Sequence, residues 1–200
     1  FTKWWTERKI DWQEQYLKTW NHPHRYLITA LVKENPGSVF EIGCGAGANL
    51  VNIVKNIPNV QVGGVDVNPD AIALAKKVLQ GAMLKVNSGD DVMASDKCAD
   101  NVLTDMTLIY VGPRKIKKYL DEMKRLGRER VIICELHSTS FWKRLKLLLT
   151  SGHHAYNWPK LLKKHGFYDI DTYKIPKDMW PDDNSPFRYI FVAKIPKWSN

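Results

Sequence analysis

The sequence predicts an α/β fold, and three features carry that reading. The apolar run Val39-Phe40-Glu41-Ile42 passes into glycines at alternate positions, Gly43, Gly45 and Gly47, and then into the helical pattern Asn49-Leu50-Val51-Asn52-Ile53-Val54, a strand, tight turn and helix in succession. Further short apolar runs, among them Val60 to Asp66 and Arg130 to Glu135, read as strands interspersed with helical stretches. The last two apolar runs have no helix between them, so they should pair antiparallel.

Each element has its own signal. From Thr6 to Glu34 the spacing of Ile10, Trp12, Tyr16, Leu17 and Trp20, then Tyr26, Leu27, Ala30 and Leu31, predicts two helices broken at Asn21-His22-Pro23-His24. Asn35-Pro36-Gly37 turns the chain into the first strand. A second strand runs from Val60 to Asp66, and Asn68-Pro69 opens a helix near Asp70, with Asn68 well placed as its cap. Met83 to Ser88 reads as the third strand and Asp100 to Met106 as the fourth. A helix from Arg114 to Leu126 precedes a fifth strand, Arg130 to Glu135, and Trp158 to His165 forms a helix stopped by Gly166. Phe167 to Tyr173 and Phe187 to Lys194 complete the set, joined by a loop over Lys174 to Pro186.

The glycine turn has two chemical readings. Gly43-x-Gly45-x-x-Ala48 formally satisfies the dinucleotide fingerprint, in which a pyrophosphate sits on a helix N-terminus. Glu41 stands two residues before the first glycine, where a carboxylate repels such an anion and attracts a cation. An acid followed by x-Gly-x-Gly-x-Gly resembles the first motif of the class I S-adenosylmethionine-dependent methyltransferases, and Glu41, Gly43, Gly45 and Gly47 match it at every position. Asp66, at the carboxyl end of the second strand, matches the acid that in this family accepts both ribose hydroxyls. Asp90, after the third strand, corresponds to the acid placed beside the adenine amino group, although Gly89-Asp90-Asp91 is also ordinary turn chemistry.

The resemblance covers roughly residues 36 to 195 and implies a Rossmann-like sheet of seven strands, mostly parallel with an antiparallel last strand, and helices on both faces. It implies S-adenosylmethionine as cofactor, leaving S-adenosylhomocysteine, held by Glu41, Gly43, Cys44, Gly45, Gly47, Asp66, Val67, Asn68, Asp90, Asp91 and Thr104. Residues 1–35 form an N-terminal helical segment that in similar enzymes closes over the cofactor; packing of Trp4, Trp5, Trp12 and Trp20 on the sheet edge is the alternative.

The acceptor side is sparser. The end of the fourth strand lines the methyl-transfer site in this family, so Tyr110 is expected as a wall and His137, ending the fifth strand two residues after Glu135, as general base or acceptor orienter, with a plain turn histidine as the alternative. The Asp/Asn-Pro-Pro-aromatic motif of amino methyltransferases acting on DNA bases is replaced by Thr104-Asp105-Met106-Thr107, and no Pro-Cys pair exists for attack on cytosine. His153-His154 lacks a third ligand, so no metal is expected, and Asp182-Asp183-Asn184 reads as a turn.

Two hundred residues fit one catalytic domain, 1–200, with a core over 36–195, and leave little for the separate substrate domain of many dehydrogenases. Cys44, Cys98 and Cys134 are odd in number and lack metal spacing, which suits a reducing compartment. No stretch reaches the length of a membrane span and Phe1 opens a polar, tryptophan-rich segment without signal-peptide layout, so a cytoplasmic location is expected.

The net charge of +9 is concentrated in Arg114, Lys115, Lys117, Lys118, Lys124 and Arg125, and in an acid-free stretch from Phe141 to His165. It has three accounts: a solvated helix face, a nucleic-acid footprint, or an anionic lipid surface suggested by Phe141-Trp142-Lys143-Arg144-Leu145-Lys146. The expected activity is methyl transfer to oxygen or nitrogen of a small molecule, with the segment from Ser138 to Asn157 as a cover. An RNA methyltransferase using the basic helices and a non-catalytic cofactor-binding sensor are the alternatives; a membrane surface is the least expected partner, and the oligomeric state is left open.

Overall fold

The computed structural model describes residues 2–180 and 184–197. The N-terminal segment forms α1 (Thr2–Glu7), α2 (Trp12–Gln15), a 3-10 turn (Leu17–Asn21) and α3 (Pro23–Lys33), with the break at His22-Pro23 that the sequence predicts. Proline at the first helical position has no N–H to leave unpaired, and the His22 ring caps the helix by accepting from His24 N. The parallel part follows as β1 (Val39–Ile42), α4 (Ala48–Asn56), β2 (Val62–Asp66), α5 (Pro69–Val78), β3 (Met83–Val86), β4 (Ala99–Asp105), α6 (Ile116–Leu126) and β5 (Gly127–Leu136). After it come α7 (Phe141–Ser151), α8 (Trp158–Lys164), β6 (Tyr168–Lys174) and β7 (Arg188–Lys194).

One sheet holds all seven strands in the order β3-β2-β1-β4-β5-β7-β6. The first five run parallel, and β7 lies antiparallel between β5 and β6. Period-two alternation divides the core between the faces. Val39, Leu103, Ile132, Cys134 and Ile190 pack with Ile28 and Val32 of α3, Leu50 and Ile53 of α4 and Ile72 of α5. Phe40, Ile42, Val102, Val131, Ile133 and Phe191 pack with Leu120 and Met123 of α6 and Trp158 and Leu162 of α8. Helices therefore cover both faces, as the sequence predicts.

Several boundaries move by one to three residues, and the first predicted N-terminal helix is broken into α1, α2 and the 3-10 turn. β5 starts three residues earlier than predicted, at Gly127, because its first residues extend along β4 before the register shift between Ala99 and Asn101. α6 starts later, at Ile116, after a turn. Asp182 and Asp183, read as a turn from the sequence, lie outside the described residues.

Candidate active site

The strand order reverses at β1, whose neighbours are β2 and β4, and the crevice at such a reversal is where open α/β sheets bind ligands. A cleft of about 420 Å³ opens there. Its floor is the glycine turn, its sides are the carboxyl ends of β1, β2 and β4, and Trp5, Trp12 and Tyr16 from the N-terminal segment form its rim.

The turn is built for close backbone approach. Gly43, Gly45 and Gly47 have φ of +76°, +52° and +83°, a region costly for residues with a Cβ. A Cβ on Gly43 would stand 2.2 Å from Thr107 Oγ1, so Gly43 is also needed for β1 to pass the β4 end. At Gly45 the nearest neighbour of such a Cβ is the Trp12 ring at 3.8 Å, and that open space is the cleft. Gly47 does not line it. A Cβ there would press on Leu79 Cδ1 at 2.9 Å, so this glycine serves the packing of α4 against the end of α5.

Three carboxyl groups stand at the cleft, Asp66 and Asp105 as the last residues of β2 and β4 and Glu41 one residue before the end of β1. Asp66 Oδ2 accepts from Gly45 N at 2.9 Å and Oδ1 from Asn68 N at 2.8 Å, leaving each oxygen one further lone pair. Burial raises its carboxyl, and the Asn68 and Gly45 amides oppose that. Glu41 is fully inside; Oε1 accepts from Asn49 Nδ2 at 2.6 Å, while Oε2 has no hydrogen-bond partner among the described residues. Burial pushes the Glu41 carboxyl up to about 8. Asp105 Oδ2 accepts from His24 Nε2 at 2.9 Å, Asn49 Nδ2 at 3.1 Å and Arg25 Nη1 at 3.3 Å, and its Oδ1 is likewise unpartnered among those residues. Burial by itself would raise Asp105, yet His24 and Arg25 beside it hold its carboxyl well below the usual carboxylate range. Asn49 ties the set together, since its Oδ1 accepts from Arg25 Nη1 at 2.5 Å.

The β4 end is held from behind. Glu135 accepts from the backbone N–H of Thr107, Leu108 and Ile109 at 2.9, 2.8 and 3.1 Å, and from the Thr104 hydroxyl at 3.1 Å. Burial lifts its carboxyl to about 8. This cradle turns the chain sharply after Asp105, with Met106 in the left-handed region at φ +51°, and so directs Tyr110 into the cleft.

Of the residues singled out from the sequence, Glu41, Gly43, Cys44, Gly45, Asp66, Val67 and Tyr110 meet in the cleft. The others stand elsewhere. Asn68 is buried, caps α5 by accepting from Asp70 N and Ala71 N, and donates to the carbonyls of Trp5 and Arg8, so it anchors the N-terminal segment. Asp90 turns to the Ser88 hydroxyl and to Lys115 Nζ at 3.5 Å, Asp91 faces outward, and Asn87 and Gly89 line the cleft in their place. The Thr104 hydroxyl is spent on Glu135. His137 is outside the cleft: its ring stands against Tyr189 and Phe191 at 5.0 and 5.2 Å, and its Nδ1 accepts from Trp158 N at 3.3 Å. The bridge between His137 and Tyr156 draws it toward α8, which a spacing count from Glu135 could not register.

Sequence reasoning passed over Arg25, Asn49, Asp105 and His153, all of which line the cleft. Asp105 carried a signal, because it ends β4 as Asp66 ends β2, with Glu41 one residue before the end of β1. Arg25, Asn49 and His153 carried none, since helix and loop periodicity does not say which side chains face a cleft. The His153 ring stands edge-on to Tyr110 at 5.3 Å, while His154 N donates to Ile109 O.

Comparison with known proteins agrees with this fold. Residues 39–130 match the family model described as a methyltransferase domain. Trans-aconitate 2-methyltransferase of Rhodopseudomonas palustris (strain BisB18) is 36% identical over 75 residues, 36% of this chain and 29% of the relative. The chain thus matches under a third of that relative's length. A SAM-dependent methyltransferase from Archaeoglobus fulgidus superposes with a TM-score of 0.62 at 16% identity, covering 92% of this chain and 100% of the other. The 1,6-didemethyltoxoflavin-N1-methyltransferase of Burkholderia thailandensis, solved with S-adenosylhomocysteine, gives 0.66 at 15% identity over 92% of this chain and 87% of that one. Residues 39–130 thus match a methyltransferase domain, and the seven-stranded sheet around them has the fold of the S-adenosylmethionine-dependent methyltransferase on which it superposes.

Proposed function

We propose that the chain transfers a methyl group from S-adenosylmethionine to an oxygen or nitrogen of a small-molecule acceptor. One observation carries the reading: Glu41 Oε2 is a buried carboxylate oxygen without a partner among the described residues, in the wall of a cleft floored by glycine backbone. Such an atom suits a ligand ammonium and is a poor neighbour for a pyrophosphate. Glu41 and Asp105 would hold the methionyl ammonium, Arg25 the carboxylate, Asp66 the two ribose hydroxyls, and Val67, Asn87 and Tyr119 the adenine.

When bound, the cofactor supplies an electrophilic methyl on a positively charged sulfur. Trp5, Trp12 and Tyr16 exclude water from the cleft, and Tyr110 and His153 position the acceptor near the end of β4. Burial pushes Tyr110 up to about 12, so it keeps its proton and acts as a wall and hydrogen-bond donor. His153 is the imidazole that reaches the cleft and can take a proton from an acceptor hydroxyl. A small acceptor fits the enclosure by Trp5, Tyr110, His153 and Trp180, and relatives named for trans-aconitate and for 1,6-didemethyltoxoflavin support that class. Titration calorimetry with S-adenosylmethionine, S-adenosylhomocysteine and NAD tests the cofactor, and S-adenosylhomocysteine release across a panel of small acids, phenols and amines tests the acceptor. Tight NAD binding with no response to S-adenosylmethionine would sink the proposal.

A further inference from the structure

The cation-rich segment after β5 exposes bulky apolar side chains as well as its lysines. α7 rests on the domain through Leu147, which packs with Ile109, Leu136 and Ala155. At 100° per residue Phe141, Trp142, Leu145, Leu148 and Leu149 fall on the opposite side of the helix. That side faces outward: Phe141 is 60% exposed, Trp142 74% and Leu149 76%. Three exposed apolar side chains, flanked by the half-buried Leu145 and Leu148, stand together on this side of the helix, whereas single exposed apolar residues need no explanation. Cations flank it. Lys146 runs along one border with Lys143 beyond it, both exposed and in no ion pair among the described residues, and Arg144 runs along the other, its guanidinium donating to the carbonyls of Ser138 and Thr139. From Phe141 to His165 the chain has six Lys and Arg residues and no acid.

We propose that α7 is a membrane-surface helix that seats the protein on anionic lipid bilayers. The pattern is that of helices lying in the plane of a bilayer interface, with aromatic and leucine side chains among the acyl chains and lysines at the headgroups. A protein partner would have to be apolar and acidic together; an anionic bilayer supplies both layers at the right depths. The seat also has a consequence for the cleft. Leu147 packs on the wall that carries Tyr110, and His153, two residues past the helix, lines the cleft, so a docked α7 holds the acceptor end beside the lipid surface. This binding requires no cofactor, so its test is independent of the methyl-transfer reading.

The test is cosedimentation of the 200-residue chain with vesicles of phosphatidylcholine, with and without phosphatidylglycerol. The parent should partition at least about tenfold more strongly onto the phosphatidylglycerol vesicles, and added salt should weaken that binding. Neutralising a lysine at a bilayer surface costs about fivefold, so Lys143→Gln/Lys146→Gln should lose about twenty-five-fold. The triple change Phe141→Ser/Trp142→Ser/Leu149→Ser should abolish binding to either vesicle with the melting temperature unchanged. If the triple variant fails to fold, the lysine pair alone decides. The proposal is overturned by equal partition of the parent on both vesicles, or by none. It is also overturned if the parent binds no vesicle but forms a dimer that the apolar variant dissolves, or binds RNA in a way the lysine variant loses.

Discussion

Glu41→Gln should make the protein more stable and a poorer binder of its cofactor. The buried Glu41 carboxyl is raised to about 8, so the free folded protein carries it neutral at pH 7 while the unfolded chain carries it ionised. For a carboxyl raised by folding, the contribution to stability is fully present below the unfolded value near 4.5 and is lost as pH rises through about 8. At pH 7 the side chain has already cost about 3 kcal/mol, the gap of some 2.5 units between its ordinary value and pH 7 at 1.36 kcal/mol each. Glutamine has the shape of the neutral acid and no proton to lose, and it can keep the contact with Asn49. A gain of about 3 kcal/mol corresponds to a melting temperature higher by roughly 6–12 °C in a domain of this size. The gap between variant and parent should widen from pH 5 to pH 8. In the opposite sense, the variant should bind S-adenosylhomocysteine about ten- to a hundredfold more weakly, because a charge-assisted hydrogen bond to the ammonium is worth about 1.5–3 kcal/mol. The parent should also release a proton on binding at pH 7, seen in calorimetry as an enthalpy that varies with the buffer's ionisation heat, and the variant should release less. Melting curves at three pH values and titrations in two buffers check this. A variant no more stable than the parent at pH 8, or one that binds the cofactor equally well, would refute the assignment of Glu41.

Asp66→Ala should weaken cofactor binding by about ten- to a hundredfold, read by calorimetry; a change under threefold would mean that its carboxylate serves only the amides of Gly45 and Asn68. Asp105→Asn leaves Arg25 and His24 without their anion and should cost about 3–5 kcal/mol of stability in a denaturant titration at pH 7. Because the Asp105 carboxyl is held low, its contribution should persist above the ordinary carboxylate value and fade as pH drops below it, so parent and variant should converge in acid. His153→Ala should lower turnover on a hydroxyl acceptor by about 10²–10⁴-fold with cofactor affinity unchanged, while His137→Ala should alter turnover less than about threefold. A large loss in the second variant and none in the first would return the role to His137.

Most of the frame is legible in the sequence because it rests on short-range rules. Alternation placed the strands, Asn68-Pro69 opened α5, Gly166 ended α8, and the missing crossover helix made β6 and β7 antiparallel. The first glycine turn needs φ values that few residues tolerate, so it announces itself. Asp90 and His137 were misplaced for the opposite reason. An acid after β3 was expected to face the adenine, but the Ser88 hydroxyl and Lys115 draw Asp90 aside. His137 shares a strand face with Glu135 by count alone, while its ring is set by Trp158 and Tyr189 from distant segments.

By itself the sequence determined most of the order of strands and helices from β1 onward, the glycine turn with Glu41 before it, and Asp66 at the next strand end, since all of these follow from local backbone conformation and period-two patterning. Only the tertiary structure decided that Arg25 and His24, some eighty residues from Asp105, clamp its carboxylate, that Asn49 joins it to Glu41, that His153 rather than His137 enters the cleft, and that α7 turns its aromatic face outward. Side-chain direction across elements is set by which faces find apolar neighbours to bury against. That is a property of the packed sheet and helices together, and no single segment contains it.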